Sequence, residues 1–203
     1  MKKRKYQLGR RAGLKDRTRR RIVEAAVVLH EKLGPRATSI SAIAEQAGVQ
    51  RLTVYRHFPD DAALFRACSS HWLSDHPLPD PAIWRTMPDW RTRCRAAFAA
   101  LYSYYRRNAG MLASVIRDAD LPAMREPMAG FAEFDRRLRQ DLLESAGPML
   151  ATNKGFGTTI GHALNFGTWQ SLAGHMSDEE IVALIMAWMD GIAGHEGQTG
   201  HGS

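Results

Sequence analysis

Apolar residues recur at intervals of three and four along most of the chain, which is the period of a helix with one buried face. In the first such segment they are Ile22, Ala25, Ala26, Leu29 and Leu33. The same period returns in eight later segments, and no segment alternates apolar and polar residues as a half-buried strand would. The pattern therefore predicts an all-α fold with about nine helices.

Glycine and proline interrupt this pattern and divide the chain into parts. Breaks at Gly34–Pro35, Ala47–Gly48 and Phe58–Pro59 separate short helices near the N-terminus. Residues 76–89 contain four of the nine prolines and are predicted to connect two domains. We expect a disordered basic arm over 1–15, helical domains over 16–75 and 76–194, and a flexible tail over 195–203.

The charge is distributed unevenly between these parts. Residues 1–60 carry a net charge of +10 and residues 61–203 a net charge of −3, which favours a polyanion-binding N-terminal domain. No apolar run approaches the roughly 20 residues that span a bilayer. The two cysteines, Cys68 and Cys94, have no metal-binding or redox spacing, so we expect a cytoplasmic protein that binds no membrane.

Residues 38–57 have the layout of a helix-turn-helix. Thr38 or Ser39 would cap a short first helix, Gly48 would form the turn, and a second short helix would follow. In such a unit the second helix enters the major groove of DNA. Glutamine and arginine suit base edges there, and threonine and tyrosine hydroxyls suit phosphates; the exposed residues are predicted to be Gln50, Arg51, Thr53, Tyr55 and Arg56.

The same stretch resembles the TetR family of bacterial transcriptional regulators. The resemblance rests on the set Ile43-Ala44, Gly48-Val49, Thr53, Tyr55, His57-Phe58 and Leu64. The preceding segment 21–26 is also similar to the first helix of the family. Residues 166–172 followed by 177–180 are similar to its last two helices. Together these matches imply an N-terminal three-helix DNA-binding domain and a C-terminal helical domain that binds a ligand and dimerises.

The resemblance also implies roles for individual residues. Phosphate contacts would fall on Thr38 or Ser39, Thr53, Tyr55 and His57, and base contacts on Gln50, Arg51 and Leu52, helped by Thr53 and Arg56. The chain departs from the family at three of its positions. Many members have serine at the position of Gln50 and glycine or alanine at the position of Leu52. Many also have a phosphate-binding lysine at the position of Asp61.

A homodimer is implied by the family and by a physical need, because one short recognition helix reads few base pairs. We expect the last two helices to form the interface, and ordinary intrachain core is the alternative for the same residues. The predicted interface residues are Leu164, Thr168, Trp169, Ile181, Ile185 and Trp188.

The resemblance implies a small-molecule effector as well, and the C-terminal domain is rich in aromatic residues and methionine. Effector pockets are mostly apolar with a few polar groups, and His162 and Asn165 are the polar candidates in an otherwise apolar helix. Plain core is the alternative for the apolar residues. The predicted lining consists of Trp90, Phe98, Tyr102, Tyr105, Met128, Phe131, His162, Asn165 and Phe166.

The sequence therefore predicts a repressor that an apolar or aromatic effector releases from a pseudo-palindromic operator in double-stranded DNA. A constitutive regulator or an activator without a ligand is the alternative. An enzyme is a remote one, since the chain has neither a recognisable catalytic triad nor a glycine-rich phosphate loop. No catalytic residue, metal site or cofactor is predicted.

Overall fold

The structure is a computed structural model that describes the backbone of residues 2–199 and the side chains of residues 13–194. The described residues form helices and no strand, so the all-α prediction is confirmed. The first six helices are α1 (Lys2–Leu33), α2 (Ile40–Gln46), α3 (Arg51–His57), α4 (Asp61–Asp75), α5 (Ala82–Arg85) and α6 (Trp90–Arg107). The other six are α7 (Ala109–Arg117), α8 (Arg125–Ser145), α9 (Gly147–Thr152), α10 (Lys154–Leu164), α11 (Phe166–Ala173) and α12 (Asp178–Thr199), and a 3₁₀ turn at Pro122–Met124 precedes α8.

Twelve α-helices in the described backbone replace the nine expected, for local reasons. The short α5 follows Pro81, and the short α9 begins at Gly147–Pro148. The sequence predicts only breaks at these places, but proline is tolerated at the start of a helix. The helix expected over 158–172 is two helices. Asn165 has extended backbone between them, and its side chain accepts a hydrogen bond from the amide of Gly167 at 2.8 Å.

Helix also extends into the segments expected to be a disordered arm and a flexible tail. Helix α1 begins at Lys2, and α12 continues to Thr199, so only residues 200–203 of the predicted tail lie outside the described residues. Lysine, arginine, leucine and glutamine are good helix formers. Extending an existing helix adds a hydrogen bond for each residue fixed, which favours continuation of α1 back to Lys2.

The chain forms two units, and their boundaries differ from the predicted ones. Unit 1 comprises Met1–Pro77 and Gly110–Gly130, and unit 2 comprises Leu78–Ala109 and Phe131–Ser203. The segment 110–130 was expected in the C-terminal domain. Within unit 1, the Ser114 hydroxyl donates to the carbonyl of Glu31 at 3.1 Å, and the 3₁₀ turn packs against α4. Such contacts join residues far apart in sequence, which helical periodicity does not indicate.

The core of unit 1 is built from one face each of α1, α2, α3 and α4. Helix α1 packs against α2 and α4, and α2 packs against α3. The buried residues include inward positions of the helical period and small alanines where helices approach closely, whereas Leu33, also placed inward, is 49% exposed. The buried residues are Ile22, Val23, Ala25, Ala26, Ile43, Ala44, Ala47, Val54, Phe58, Leu64 and Cys68.

A buried carboxylate fixes the turn between α1 and α2. Asp118 accepts a hydrogen bond from the backbone amide of Arg36 at 3.0 Å, and the guanidinium groups of Arg36 and Arg117 lie 3.7 and 3.6 Å from its other oxygen. Gly34 has a φ of +89° in this turn, and a Cβ added there would lie 2.7 Å from an Asp118 oxygen. Glycine therefore provides both the backbone angle and the space for the carboxylate.

The buried imidazole of His30 makes the stability of unit 1 depend on pH. Its ring stacks on Phe65 with 4.8 Å between centroids, and burial lowers the pKa of His30 from 6.5 to about 4. The unfolded chain therefore binds a proton between these values that the folded chain does not. This contribution to stability is fully present above pH 6.5 and is lost as the pH falls towards 4.

We expect the free energy of unfolding to fall by about 1 kcal/mol between pH 7 and pH 5.5 from this group. Urea denaturation at both pH values measures the difference, and His30→Gln removes the titrating group while keeping a polar side chain. A variant that lost as much stability as the wild type over this interval would show that His30 is not the source.

In unit 2, α6 is the central element and packs against α5, α10, α11 and α12. Trp84 of α5 is fully buried, and its indole N–H donates to Asp141 Oδ2 of α8 at 3.0 Å. Arg85 and Arg93 lie 3.4 and 3.7 Å from the other oxygen of Asp141. The connection expected over 76–89 therefore contains an anchor of the core. None of the described helices is long and apolar enough to span a bilayer.

Candidate nucleic-acid interface

The helix-turn-helix geometry follows from capping and from one glycine. Ser39 caps α2, with its hydroxyl oxygen accepting from the amide of Ala42 at 3.1 Å. After α2 the chain turns at Gly48, which has a φ of +62°, and the amide of Val49 donates to the carbonyl of Ala44 at 2.9 Å. This turn leads directly into α3 and fixes its direction relative to α2.

Arg21 of α1 stabilises this turn. Its guanidinium donates to the carbonyl oxygens of Ala47 and Gly48, the latter at 3.2 Å. A cation at the C-terminal end of α2 also interacts favourably with the helix dipole. In the sequence, Arg21 is one of the basic residues of 1–60 whose charge favours a polyanion-binding domain. The structure gives Arg21 a positioning role instead, which the charge itself did not indicate.

Helix α3 presents a mixed polar and apolar face. Arg51, Leu52, Tyr55 and Arg56 are exposed on it, and Gln50 is exposed at the residue before it. Thr53 and His57 are half-buried, while Val54 is fully buried and holds the opposite side of the helix in the core. The structure thus brings most residues of the predicted DNA-contacting set onto one short surface.

Two side chains of this surface are paired before any ligand binds. The Arg51 guanidinium donates to the Tyr55 hydroxyl at 3.0 Å and lies 5.5 Å from the centre of its ring. Because the Tyr55 oxygen accepts this hydrogen bond, its own proton is available to a phosphate oxygen. Pairing also restricts two side chains that would otherwise lose freedom on binding.

His57 has a basic and partly desolvated environment. Burial and then the charges of Lys15, Arg19 and Arg56 lower the pKa of His57 below its ordinary value. Its Nδ1 atom is buried and has no hydrogen-bond partner among the described side chains. A neutral imidazole carries one N–H, so His57 suits a hydrogen bond to phosphate rather than an ion pair near pH 7.

The two candidate caps of α2 differ in what they offer to DNA. The Thr38 hydroxyl donates to the carbonyl of Gly34 at 2.8 Å and is half-buried. Ser39 is exposed, and its oxygen accepts the capping bond, which leaves its proton for an external acceptor. Asp61 is exposed in the first turn of α4, where a carboxylate stabilises the helix but does not bind phosphate.

Unit 1 also contains a cavity of about 460 Å³ beside the start of α2. Its apolar wall includes Ile40, Phe65 and Leu121, and its polar groups include Ser39 and Asp61. No pattern in the sequence indicates this cavity, because its wall combines α2, α4 and the segment before α8.

The predicted effector residues occupy different environments. Five aromatic residues are each buried in the core of unit 2, where Tyr102 and Tyr105 donate hydrogen bonds to the carbonyls of Ala163 and Leu164 at 2.9 and 2.6 Å. Burial raises the pKa of both phenols. This is a packed core with satisfied hydroxyls. The five are Trp90, Phe98, Tyr102, Tyr105 and Phe166.

The other four predicted effector residues do not join this cluster. His162 and Asn165 are exposed rather than enclosed in an apolar helix, because Asn165 ends α10 and caps α11. Met128 and Phe131 are half-buried on α8, with Met128 in unit 1 and Phe131 in unit 2. Within the part of the chain that the structure describes, the nine residues therefore do not form one pocket lining.

Most predicted dimer residues are also core residues of the single chain. Leu164, Trp169, Ile181 and Ile185 are buried within unit 2, where a partner has no access to them. The reason is that α11 and α12 pack against α6 through the apolar face that the sequence left without a partner. Thr168 is half-buried, and Trp188 remains 43% exposed.

Comparison with known proteins agrees with this geometry. Residues 22–68 match the family model described as bacterial regulatory proteins, tetR family. No curated protein matches the chain. Three solved structures share its fold: a TetR-like transcriptional regulator from Rhodococcus sp. RHA1, a tetR-family transcriptional regulator from Streptomyces coelicolor, and AibR in complex with isovaleryl coenzyme A and operator DNA.

The Rhodococcus regulator is 18% identical with a TM-score of 0.59, and the alignment covers 87% of this chain and 96% of that one. The Streptomyces regulator is 16% identical with a TM-score of 0.58, and the alignment covers 91% of this chain and 86% of that one. AibR is 15% identical with a TM-score of 0.60, and the alignment covers 83% of this chain and 96% of that one. At these identities the likeness shows the fold, which extends over nearly the whole chain.

Proposed function

Because the chain is a transcriptional regulator of the tetR family, we propose that it binds a pseudo-palindromic operator as a homodimer and represses transcription until a small apolar or aromatic effector releases it. It acts in the cytoplasm and catalyses no reaction. The observation that carries the proposal is the exposed face of α3 on a helix-turn-helix whose turn Arg21 holds.

The charges on this surface divide between two tasks. Arg51 and Arg56 lie on the recognition helix, while Arg17 and Arg20 are exposed on α1. Cations that neutralise phosphates release counterions, so they govern affinity and its dependence on salt more than the choice of sequence. The α1 arginines attract DNA of any sequence, and residues 50–56 select among sequences.

The proposed dimer uses the outer face of α12. Ala183, Ala187 and Gly191 are exposed at intervals of four residues, beside the exposed indole of Trp188. Small residues at this spacing allow a second helix to approach, and a large exposed aromatic side chain is a favoured interface anchor. This face replaces the interface expected at Leu164, Trp169, Ile181 and Ile185.

We infer that the effector occupies the cavity of unit 1. A cavity of about 460 Å³ has the volume of a small-molecule site, and a ligand in it would touch α2 and α4 together. The structure of AibR holds isovaleryl coenzyme A together with operator DNA, so acyl thioesters and aromatic acids are the first compounds to assay. A ligand acts only through its different affinities for the free and DNA-bound states.

Selection of binding sites from random DNA, followed by shift assays with each compound, tests this function. We expect a two-fold symmetric site whose affinity falls steeply with salt and falls again when an effector is added. If the protein preferred no DNA sequence, the proposal that it is a sequence-specific regulator would be wrong. A preferred site that no compound affects would support the constitutive alternative instead.

Side-chain replacements on α3 test the assigned roles. Gln50→Ala is expected to reduce discrimination at one base pair by about tenfold to a hundredfold, because a bidentate contact is lost. Tyr55→Phe is expected to weaken all sites alike by about threefold to tenfold, because one phosphate contact is lost.

Gln170→Ala removes the same amide from an exposed residue of α11 and serves as the control. Binding measured on the selected site and on single-base variants separates the two effects. If Gln50→Ala leaves the base preference unchanged, the assignment of Gln50 to base contacts is wrong.

A further inference from the structure

Leu52 is an unusually exposed apolar residue for its position. It exposes 67% of its surface, the largest fraction among the large apolar side chains described. It is the second residue of α3, and it lies on the same helix face as Tyr55 and Arg56, three and four residues on. The buried Val54 holds the opposite side of the helix in the core, so Leu52 points away from unit 1.

The surroundings of Leu52 do not favour an apolar protein partner. Its neighbours on the exposed face are Gln50, Arg51 and Arg56, which are polar or cationic, and Tyr55, whose hydroxyl accepts a hydrogen bond from Arg51. Protein interfaces are depleted in charge at their centre, whereas a cationic rim suits the phosphates on both sides of a DNA groove. The group that complements a single leucine within such a rim is therefore an apolar group that is itself flanked by phosphates.

The major groove offers one such group, the C5-methyl of thymine. Residues in the N-terminal part of a recognition helix contact base edges, and Leu52 lies in the first turn of α3. We propose that Leu52 packs against the C5-methyl group of one thymine in each half-site and thereby specifies that base pair. This inference rests on the proposed function, and it adds a chemical identity to one position of the operator.

Replacing thymine by deoxyuridine tests this contact, because the exchange removes only the methyl group. On the operator selected for the wild type, each thymine of one half-site is replaced in turn, and the dissociation constant is measured. We expect one position to weaken binding by about fourfold, the effect of one buried methyl group. The other positions should change it little.

The same replacements measured with Leu52→Ala complete a double-mutant cycle. The variant should bind the thymine and deoxyuridine operators equally at that position, since its side chain no longer reaches the methyl group. Leu52→Met, which keeps an apolar chain of similar volume, should retain the difference. Leu73→Ala shortens another exposed leucine of unit 1, on α4, and should behave as the wild type.

Two results would overturn the inference while leaving the proposed function intact. In one, the wild type binds its operator but tolerates deoxyuridine at every position. In the other, Leu52→Ala still loses affinity on removal of the same methyl group. Failure of the wild type to prefer any DNA sequence would contradict the proposed function itself, so the two failures are distinguishable.

Discussion

Trp84→Ala is expected to lower the free energy of unfolding by about 3–5 kcal/mol, the cost of truncating a large buried aromatic side chain. The indole is fully buried in unit 2, and α5, which carries it, is only four residues long. So short a helix has little stability of its own. The variant also deprives Asp141 of the indole N–H that it accepts at 3.0 Å. Urea denaturation followed by circular dichroism at 222 nm measures the change.

The neighbouring residue provides a matched control. Ile83 lies in the same short helix but is 52% exposed, so Ile83→Ala should change the free energy by no more than about 0.5 kcal/mol. Trp84→Phe should lie between the two variants, because it keeps most of the apolar surface but not the hydrogen bond. If Trp84→Ala and Ile83→Ala had equal effects, Trp84 would not be an anchor of unit 2.

Gly34→Ala is expected to lower the free energy of unfolding by about 2–5 kcal/mol and to weaken operator binding. A φ of +89° costs an L-residue about 1–2 kcal/mol. The added Cβ would also lie 2.7 Å from an Asp118 oxygen. Moving that carboxylate breaks its bond to the amide of Arg36, which leaves a buried acceptor unsatisfied at about 1–3 kcal/mol. The displaced turn leads directly to Ser39.

Gly147 separates the two contributions. It has a φ of +81°, and a Cβ added there would meet nothing within 4 Å. Gly147→Ala should therefore cost only the backbone strain, about 1–2 kcal/mol, without affecting DNA binding. Urea denaturation and an operator shift assay on both variants make the comparison. Equal losses of stability, with operator binding intact in both, would show that the contact between Gly34 and Asp118 contributes nothing.

Features set by local sequence were predictable. The turn at Gly48, the cap at Ser39 and the inward face of α3 depend on residues within a few positions of one another. The structure has the turn, the cap and the buried Val54 there. Leu52 is an exception, because the helical period places it on the inward face with Val54, yet it is 67% exposed. The turn, the cap and the buried side of α3 position most of the candidate DNA surface, which is why most of its residues are predictable from the sequence.

Features set by distant contacts were not predictable. Asp118 binds the amide of a residue 82 positions earlier, and Trp84 donates to a carboxylate 57 positions later. A helical period identifies an apolar face but not the element that covers it. The side chains of Ile181 and Ile185 are buried by other helices of the same chain, not by a partner. Likewise, a run of basic residues does not indicate which arginine turns back onto a carbonyl, as Arg21 does.

The division of unit 1 into two stretches of chain limits how this protein can be recombined. The family model ends at residue 68, but the carboxylate that fixes the first turn comes from residue 118. A DNA-binding fragment that ends at Pro77 lacks that carboxylate, and it also lacks Leu121, which lines the cavity. A chimaera with another regulator must therefore contain residues 110–130 together with residues 1–77 if it is to keep the operator preference of this protein.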